Sequence, residues 1–340
     1  MKSFIVFSAG IISMLVFVFG CSNETPKLVP LKDKTTEIVR DTGGNKVSFN
    51  RSIDILFVVD DSASMSDHQA NLALNVKKFT QGIVGNQILD YHIGVVTSNM
   101  DNPPATAKPG YGWKGELNGV TKFISRSTAM GSEVLEANLQ PGTEGSGIEQ
   151  FFGPVVAALS PPMLSGANAG FYRPDAYLAV IFLTDSDDQS TFTASDFYKF
   201  LLSLKNGDPT KIISYGVNIP STDQKCGRSS EPLPVKLEAF YALAKTQTLG
   251  LCDLDYGIKL AELGADLVRR VGRVLYLSRP AARDTIAVTY GSQLVPMDER
   301  TGWSFDPTRN AILFGEDLDL KPEPPGTKIE VYFQTAEFQR

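Results

Sequence analysis

The chain changes from apolar to polar within the stretch VVDDSASMSDHQ, residues 58–69. An apolar, β-branched run at residues 53–59 leads into it and predicts a strand buried on both faces. Beyond the stretch, apolar residues recur at spacings of four, three and four, which places them on one face of a helix. These residues are Leu72, Val76, Phe79 and Ile83. Two aspartates and two alternate serines therefore lie where a buried strand is predicted to meet a helix.

The alternation of strand and helix continues along the chain. Further apolar strands are predicted at residues 91–97, 177–183 and 212–217. One helix is predicted at residues 148–159, although Pro154 fits poorly deep inside a helix. Another is predicted to begin after a Thr193 cap. This order indicates an α/β fold with a doubly wound, mostly parallel sheet covered by helices on both sides.

Short β segments replace this pattern toward the C-terminus. They are predicted at residues 285–290, 303–306, 311–314 and 328–333. We therefore expect an α/β domain at residues 37–275 and a small antiparallel β module at residues 276–340. About 65 residues is thin for an independent sandwich. Two arrangements remain open: the module borrows early strands at residues 37–49, or it packs on the larger domain.

The first 20 residues have the pattern of a secretory signal peptide. A charged start, an apolar core and a small residue precede Cys21. This order resembles the bacterial lipoprotein box, although Phe19 is bulky for it, and it implies cleavage before a lipid-bearing Cys21. Residues 21–36 would then tether the protein to the cell envelope. Lipoproteins that stay at the inner membrane commonly have an aspartate directly after the lipidated cysteine. This chain has Ser22 there, so the resemblance favours a protein anchored to the outer membrane, on its periplasmic or surface face. The alternatives are an uncleaved anchor helix and a plain signal peptide.

The other two cysteines, Cys226 and Cys252, form an even pair. In an oxidising compartment such a pair favours a disulfide, which adds roughly 3 kcal/mol of stability. No C-x-x-C motif occurs, so neither a zinc knuckle nor a thioredoxin-type site is expected. The alternative is two unpaired buried thiols.

Composition and missing motifs narrow the function classes. The formal net charge is −6 and no Lys/Arg-rich stripe occurs, so nucleic acid is not expected as a partner. The chain has no Gly-x-Ser-x-Gly elbow, no His-Glu-x-x-His motif and no P-loop. Its two histidines, His68 and His92, have no matching ligand cluster around them in the sequence. We therefore do not expect an enzyme.

Asp60, Ser62 and Ser64 lie just beyond the carboxyl end of a predicted strand, where open α/β sheets bind ligands. Alternate residues of an extended loop can turn their side chains to one side. One carboxylate and two hydroxyls suit a hard cation such as Mg²⁺, Mn²⁺ or Ca²⁺. The alternative is that Asp60 and Ser62 cap the helix that follows.

Residues 60–64, Asp-Asp-Ser-Ala-Ser, resemble the Asp-x-Ser-x-Ser pattern of the von Willebrand factor type A domain. That family carries a metal-ion-dependent adhesion site. Its second part is a threonine in a later loop, for which Thr143 is the candidate and Ser146 the alternative. Its third part is an aspartate after a central strand, which Asp185 matches, with a serine in place of the usual following glycine. The resemblance covers roughly residues 50–275.

The resemblance implies a six-coordinate Mg²⁺ ion. Ser62 and Ser64 would bind it directly, Thr143 directly or through water, and Asp60 and Asp185 mainly through water. The remaining charge would attract a carboxylate of a partner. We therefore expect a lipid-anchored envelope protein that binds an acidic side chain of a protein partner, in adhesion or in assembly of an envelope complex. The alternatives are a metal-assisted hydrolase and a structural lipoprotein with a vestigial site.

Four further residues have more than one interpretation. Asp187 and Asp188 follow the Asp185 position and are expected mainly as solvated loop residues. The alternatives are contacts behind the metal ligands or a second cation. Tyr111 and Trp113, among glycines of a long loop, either form a recognition surface or pack inside the protein.

Overall fold

The structure is a computed structural model. It describes residues 44–49, 52–84, 89–223, 226, 232–253, 256–272, 274–315, 317–321, 323–324 and 327–336. The predicted signal peptide, the lipidation site at Cys21, the tether and the strand at residues 37–40 lie outside these ranges.

Strands and helices alternate in the larger domain. After β1 (Asn45–Phe49), the strands are β2 (Ser52–Val59), β3 (Asp90–Thr97), β4 (Phe123–Ser125), β5 (Tyr177–Thr184), β6 (Ile212–Asn218) and β7 (Gln247–Gly250). The helices are α1 (Ser66–Val84), α2 (Gly131–Asn138), α3 (Phe152–Ala158), α4 (Ala194–Leu204), α5 (Val235–Ala244) and α6 (Tyr256–Gly272). The predicted strands β3, β5 and β6 are confirmed, each longer than predicted by one residue.

Six strands form one sheet in the order β4-β3-β2-β5-β6-β7. Only β4 is antiparallel to its neighbour among these described strands, so the predicted mostly parallel sheet is confirmed. Val59 at the end of β2 is opposite Thr97 of β3 and Leu183 of β5. The carboxyl ends of three central strands therefore lie level at one edge of the sheet, and loops leaving them emerge side by side.

Two apolar cores cover the two faces of this sheet. Alternate residues of β2 point to opposite faces: Ile55 and Phe57 enter one core, Leu56 and Val58 the other. The first core includes buried residues of α1 and α6, and the second includes those of α3, α4 and α5. Helices thus cover both faces, as a doubly wound sheet requires.

The helix predicted at residues 148–159 is shorter than expected, because α3 begins at Phe152. Pro154 then lies in the first turn, where a backbone N–H would have no partner inside the helix and its absence costs little. The four residues before α3 belong to a loop. The Thr193 cap of α4 is confirmed, since its Oγ1 accepts a hydrogen bond from the Asp196 N–H at 3.1 Å.

The C-terminal residues form two antiparallel sheets around a separate apolar core. Their strands are β8 (Val274–Tyr276), β9 (Ala287–Tyr290), β10 (Gln293–Val295), β11 (Trp303–Asp306), β12 (Ala311–Phe314) and β13 (Ile329–Phe333). One sheet has the order β1-β13-β9-β10, so the early strand β1 pairs with the C-terminal strand β13. The other has the order β11-β12-β8. The strand β8 pairs with β12, so Val274–Tyr276 belong to this second sheet.

Cys226 and Cys252 form the predicted disulfide, with their Cα atoms 5.8 Å apart. It joins the segment that follows β6 to the turn that follows β7. Among the helices of the described ranges, none is both long enough and apolar enough to cross a membrane.

Candidate metal site

The loop between β2 and α1 is fixed at its start by the two neighbouring strands. The Asp60 N–H donates to the Leu183 carbonyl at 3.0 Å, and the Ser98 N–H donates to the Val59 carbonyl at 3.0 Å. A short 3₁₀ turn over Ala63–Met65 then leads into α1. Met65 is 1% exposed and belongs to the core under the sheet, so burial of this side chain holds the loop down.

Three of the predicted ligands meet at the carboxyl edge of the sheet. The Ser62 and Ser64 hydroxyl oxygens are 3.0 Å apart, and the Ser64 hydroxyl donates to Asp185 Oδ1 at 3.2 Å. Ser62 and Asp185 are buried, while Ser64 is half-buried. The two serines come from the loop after β2 and the aspartate from the loop after β5, which are neighbouring strands.

Asp60 lies beneath these side chains and is fully buried. Its Oδ1 accepts the Ser62 N–H at 3.0 Å, and its Oδ2 accepts the Thr184 hydroxyl at 2.7 Å. Burial raises the pKa of Asp60 to about 8, and the buried carboxylate of Glu149 adds repulsion in the same direction. In the described ranges, no ion pair compensates the carboxylate of Asp60 or Asp185.

The alternative role of helix cap does not fit Ser62. It precedes the 3₁₀ turn, but its hydroxyl makes no capping hydrogen bond to that turn. Its contact is instead the neighbouring hydroxyl of Ser64. Asp60 bonds the Ser62 N–H, which closes a tight local turn before any helix begins.

The loop that contains Thr143 is joined to the β2–α1 loop by Gln69. The Gln69 side-chain amide donates to the carbonyls of Asp60 and Gly142, each at 2.8 Å. The Gly145 N–H also donates to the Asp61 carbonyl at 2.9 Å. Thr143 is therefore held between two anchored residues, next to the loop that carries the serines.

Ser146, the alternative to Thr143, is engaged elsewhere. Its hydroxyl donates to Asp101 Oδ2 at 2.5 Å and accepts the Ile148 N–H at 3.1 Å. The Thr143 hydroxyl makes no hydrogen bond within the described part of the chain, and its side chain is half-buried. Thr143 is therefore the better candidate of the two.

Asp61 is not one of the candidate ligands. Its carboxylate instead fixes the β2–α1 loop through hydrogen bonds to other loops. This fully buried carboxylate accepts the Ser98 hydroxyl at 2.8 Å and a short hydrogen bond from the Tyr111 hydroxyl. Tyr111 in turn accepts the side-chain amide of Asn99 at 2.9 Å. A Cβ atom on Gly145 would lie 2.4 Å from the Asp61 carboxyl, so this position has room only for glycine. Tyr111 is half-buried, and its hydroxyl is fixed by these hydrogen bonds.

The expectation that Asp187 and Asp188 are mainly solvated is wrong. Asp187 accepts hydrogen bonds from two backbone N–H groups in the first turn of α5. Asp188 is buried, accepts the N–H groups of Phe151 and Phe152 at 2.7 and 3.0 Å, and pairs with Lys236 Nζ at 2.7 Å. The loop after β5 lies between the N-termini of α3 and α5. Carboxylates there accept hydrogen bonds from N–H groups that have no partner inside the helix, and their negative charge interacts favourably with the helix dipoles.

The chemistry of the assembled side chains fits a hard divalent cation. Two carboxylates and the hydroxyls of Ser62, Ser64 and Thr143 are all oxygen donors, which Mg²⁺, Mn²⁺ and Ca²⁺ prefer. Asp60 is fully buried without an ion-pair partner in the described ranges, and burial raises its pKa; a bound cation would supply the missing positive charge. In the described ranges, no group of three or more His, Cys, Asp or Glu side chains is arranged to hold a metal, so the candidate site depends on its hydroxyl oxygens.

No family profile and no curated protein matches this chain. Several solved structures have a similar backbone. A von Willebrand factor type A protein from Catenulispora acidiphila aligns at 12% identity with a TM-score of 0.38, over 86% of this chain and 62% of that chain. The pilus adhesin SpaC from Lactobacillus rhamnosus GG aligns at 14% identity with a TM-score of 0.39, over 85% and 40% of the two chains.

A third likeness is to proximal thread matrix protein 1 from the mussel byssus, in a structure with a zinc-occupied metal-ion-dependent adhesion site. It aligns at 12% identity with a TM-score of 0.40, over 70% of this chain and 52% of that chain. The chain therefore spans between 40% and 62% of the length of these three relatives. Identities and TM-scores this low support no conclusion about function, which is therefore argued from the residues of this chain.

Sequence reasoning missed the residues that hold the candidate ligands in place. The role of Gln69 depends on the Gly142 carbonyl, 73 residues away in the chain, and no local pattern indicates it. Glu149 affects Asp60 only because the fold brings a distant loop next to β2. Thr184 directly precedes Asp185, and a hydroxyl at the end of a buried strand was the one local signal available.

Proposed function

We propose that this protein is a metal-dependent binding module that recognises an acidic side chain of a protein partner. Ser62, Ser64 and Asp185 would hold a Mg²⁺ ion, with Asp60 beneath it and Thr143 from the adjoining loop. The bound ion would supply a positive charge at the protein surface. The observation that carries the proposal is the convergence of two loops on one cluster of oxygens, above a buried aspartate without a counter-charge.

The chemistry of the cluster favours binding over catalysis. In the described ranges, no histidine, lysine or cysteine side chain hydrogen-bonds to Asp60, Ser62, Ser64 or Asp185. In metal-assisted hydrolysis the ion can activate water itself, and a positioned acid or base side chain commonly assists the proton transfers. A cation held mostly by neutral hydroxyls instead retains charge that a carboxylate of a partner can neutralise.

The same proposal includes the cell envelope as the setting. It rests on the signal-like first 20 residues, on the lipoprotein-like position of Cys21, and on the disulfide between Cys226 and Cys252, which is typical of oxidising compartments. We propose that a lipid on Cys21 anchors the protein to the outer membrane, from which the binding module reaches its partner in adhesion or envelope assembly.

The test is affinity capture from cell-envelope extracts on the immobilised full chain. We expect one or more proteins to bind in Mg²⁺, to elute with EDTA, and to be absent with Ser64→Ala or Asp60→Ala, both checked for folding by circular dichroism. Ser195→Ala, at an exposed position of α4, is the matched control and should capture the same proteins. Capture that survives EDTA and both site variants would refute the proposal. Turnover of phosphoesters or peptides that disappears with Asp60→Ala would show a hydrolase instead.

A further inference from the structure

A short loop segment, Glu149 and Gln150, spans the end of β2 next to the candidate metal site. On one side, the Gln150 N–H donates at 3.3 Å to the carbonyl of Ser98, the residue directly after β3. On the other side, the Glu149 carbonyl accepts the N–H of Gln189, in the loop after β5, at 2.8 Å. Because β2 lies between β3 and β5 in the sheet, this segment crosses the end of β2, where Asp60 is located.

The Glu149 side chain is directed into the protein from this position. Glu149 is 3% exposed, although the neighbouring residue Ile148 is 53% exposed. Its Oε2 atom accepts a long hydrogen bond of 3.4 Å from the side-chain amide of Gln189. The electrostatics agree with this placement, since burial is the main cause of the raised pKa of Asp60 and repulsion from the Glu149 carboxylate is the second. Two buried carboxylates are therefore neighbours at the end of β2.

A helix-capping role does not account for the buried carboxylate of Glu149. The helix α3 begins three residues later, at Phe152. The N–H groups of Phe151 and Phe152 at the start of that helix donate to Asp188 Oδ1 at 2.7 and 3.0 Å. The Asp188 carboxylate therefore already occupies the position that favours negative charge at this N-terminus.

The surroundings of the two carboxylates fit a shared cation. Buried carboxylates that repel each other are stabilised by a proton on one of them or by a cation bound between them. Carboxylates alone do not form a metal site in the described ranges, so neighbouring hydroxyls are needed. Those of Ser62 and Ser64 lie at the same edge of the sheet, beside Asp185. Together these groups form an all-oxygen set, which hard divalent cations prefer.

We infer that Glu149 is a further ligand of the cation, supplied by the loop before α3. The inference rests on the proposed metal-dependent function and adds a carboxylate to the hydroxyl-rich ligand set. The cation would then be held by loops that follow three neighbouring strands or are hydrogen-bonded to their ends. With Asp60 and Asp185 acting through water, one directly bound carboxylate leaves a divalent ion one positive charge. An acidic side chain of a partner can still neutralise that charge.

The test is titration calorimetry of the full chain with Mn²⁺, together with urea unfolding in EDTA. Glu149→Gln keeps the size of the side chain but removes its charge. It should weaken Mn²⁺ binding by at least about tenfold, because even groups that only orient metal ligands contribute roughly 10- to 100-fold in affinity. Without metal, the variant should be at least as stable as the wild type, because the repulsion between Glu149 and Asp60 is removed.

Glu144→Gln is the matched control on the same loop. Glu144 is exposed and its carboxylate accepts the Thr106 hydroxyl, so this variant should bind Mn²⁺ as the wild type does. If the wild type binds Mn²⁺ and Glu149→Gln binds it equally well, or if both variants weaken binding by the same factor, the inference is overturned and the proposed function stands. Lower stability of Glu149→Gln in EDTA would show a packing role and also overturn it. A wild type that binds no Mn²⁺ would refute both the inference and the proposed function.

Discussion

Gln69 joins the two loops of the candidate metal site, and its replacement gives the sharpest single prediction. In Gln69→Met the side chain keeps its approximate size but loses both hydrogen bonds, to the Asp60 and Gly142 carbonyls at 2.8 Å. The Asp60 carbonyl lies in a fully buried residue and cannot turn to water, whereas Gly142 is half-buried. The variant leaves the Asp60 carbonyl buried without a partner, while the Gly142 carbonyl can bind water instead. Together these losses should lower the free energy of unfolding by about 2 kcal/mol.

The same change should weaken Mg²⁺ binding, because the loop with Thr143 is no longer fixed against the loop with the serines. Loss of a group that orients metal ligands typically costs 10- to 100-fold in affinity. Urea unfolding in EDTA measures the stability, and titration calorimetry with Mg²⁺ measures the affinity. Gln140→Met is the matched control, since its amide bonds a single carbonyl, that of Glu136, away from the serine loop. A Gln69→Met protein with the stability and Mg²⁺ affinity of this control would refute the role of Gln69.

Three further predictions concern packing, titration and the disulfide. Gly145→Ala places a methyl group 2.4 Å from the Asp61 carboxyl and should destabilise the protein by about 1–3 kcal/mol in urea unfolding, whereas Gly147→Ala, with open space around it, should be neutral. Burial lowers the pKa of Lys205 from 10.5 to about 8, so Lys205 loses its proton at a lower pH in the folded than in the unfolded protein. The free energy of unfolding of the wild type, measured relative to that of Lys205→Met, should therefore increase between pH 8 and 10.5 by up to about 3 kcal/mol. A difference between the two proteins that does not change with pH would contradict this. Reduction of the disulfide, which spans 26 residues, should lower the free energy of unfolding by roughly 3 kcal/mol, and an unchanged urea midpoint would show that the loop is held by other contacts.

Local periodicity was sufficient to predict the main strands and their order. The run at residues 177–183 is apolar throughout and became the central strand β5, and residues 303–306 and 311–314 became β11 and β12 with the predicted bounds. The strand β7 was missed because Gln247 and Thr248 are polar and exposed at the edge of the sheet. An edge strand needs fewer apolar residues, so its pattern is weak.

The candidate ligands were predictable where the motif is local and less so where it depends on loop packing. Ser62 and Ser64 follow from their spacing after β2, whereas Asp185 was implied by the resemblance to the von Willebrand factor type A pattern. The choice between Thr143 and Ser146 depends on the bond from Ser146 to Asp101, which residue order does not encode.

The roles of Asp187 and Asp188 could not be predicted from the sequence either. Three acidic residues in four positions of the sequence resemble a solvated loop. The last two instead serve helix starts that lie 36 or more residues away in the chain. Their role depends on how α3 and α5 pack around the end of β5, which is tertiary information.

The central claim is that oxygens from separate loops form one site for a hard divalent cation. Anomalous diffraction from a crystal of the full chain soaked in Mn²⁺ tests it most directly. A single strong peak among the side-chain oxygens of Ser62, Ser64 and Asp185, lost in Ser64→Ala, is the predicted result. Ordered side chains at these positions with no peak between them, or a peak elsewhere on the molecule alone, would contradict it.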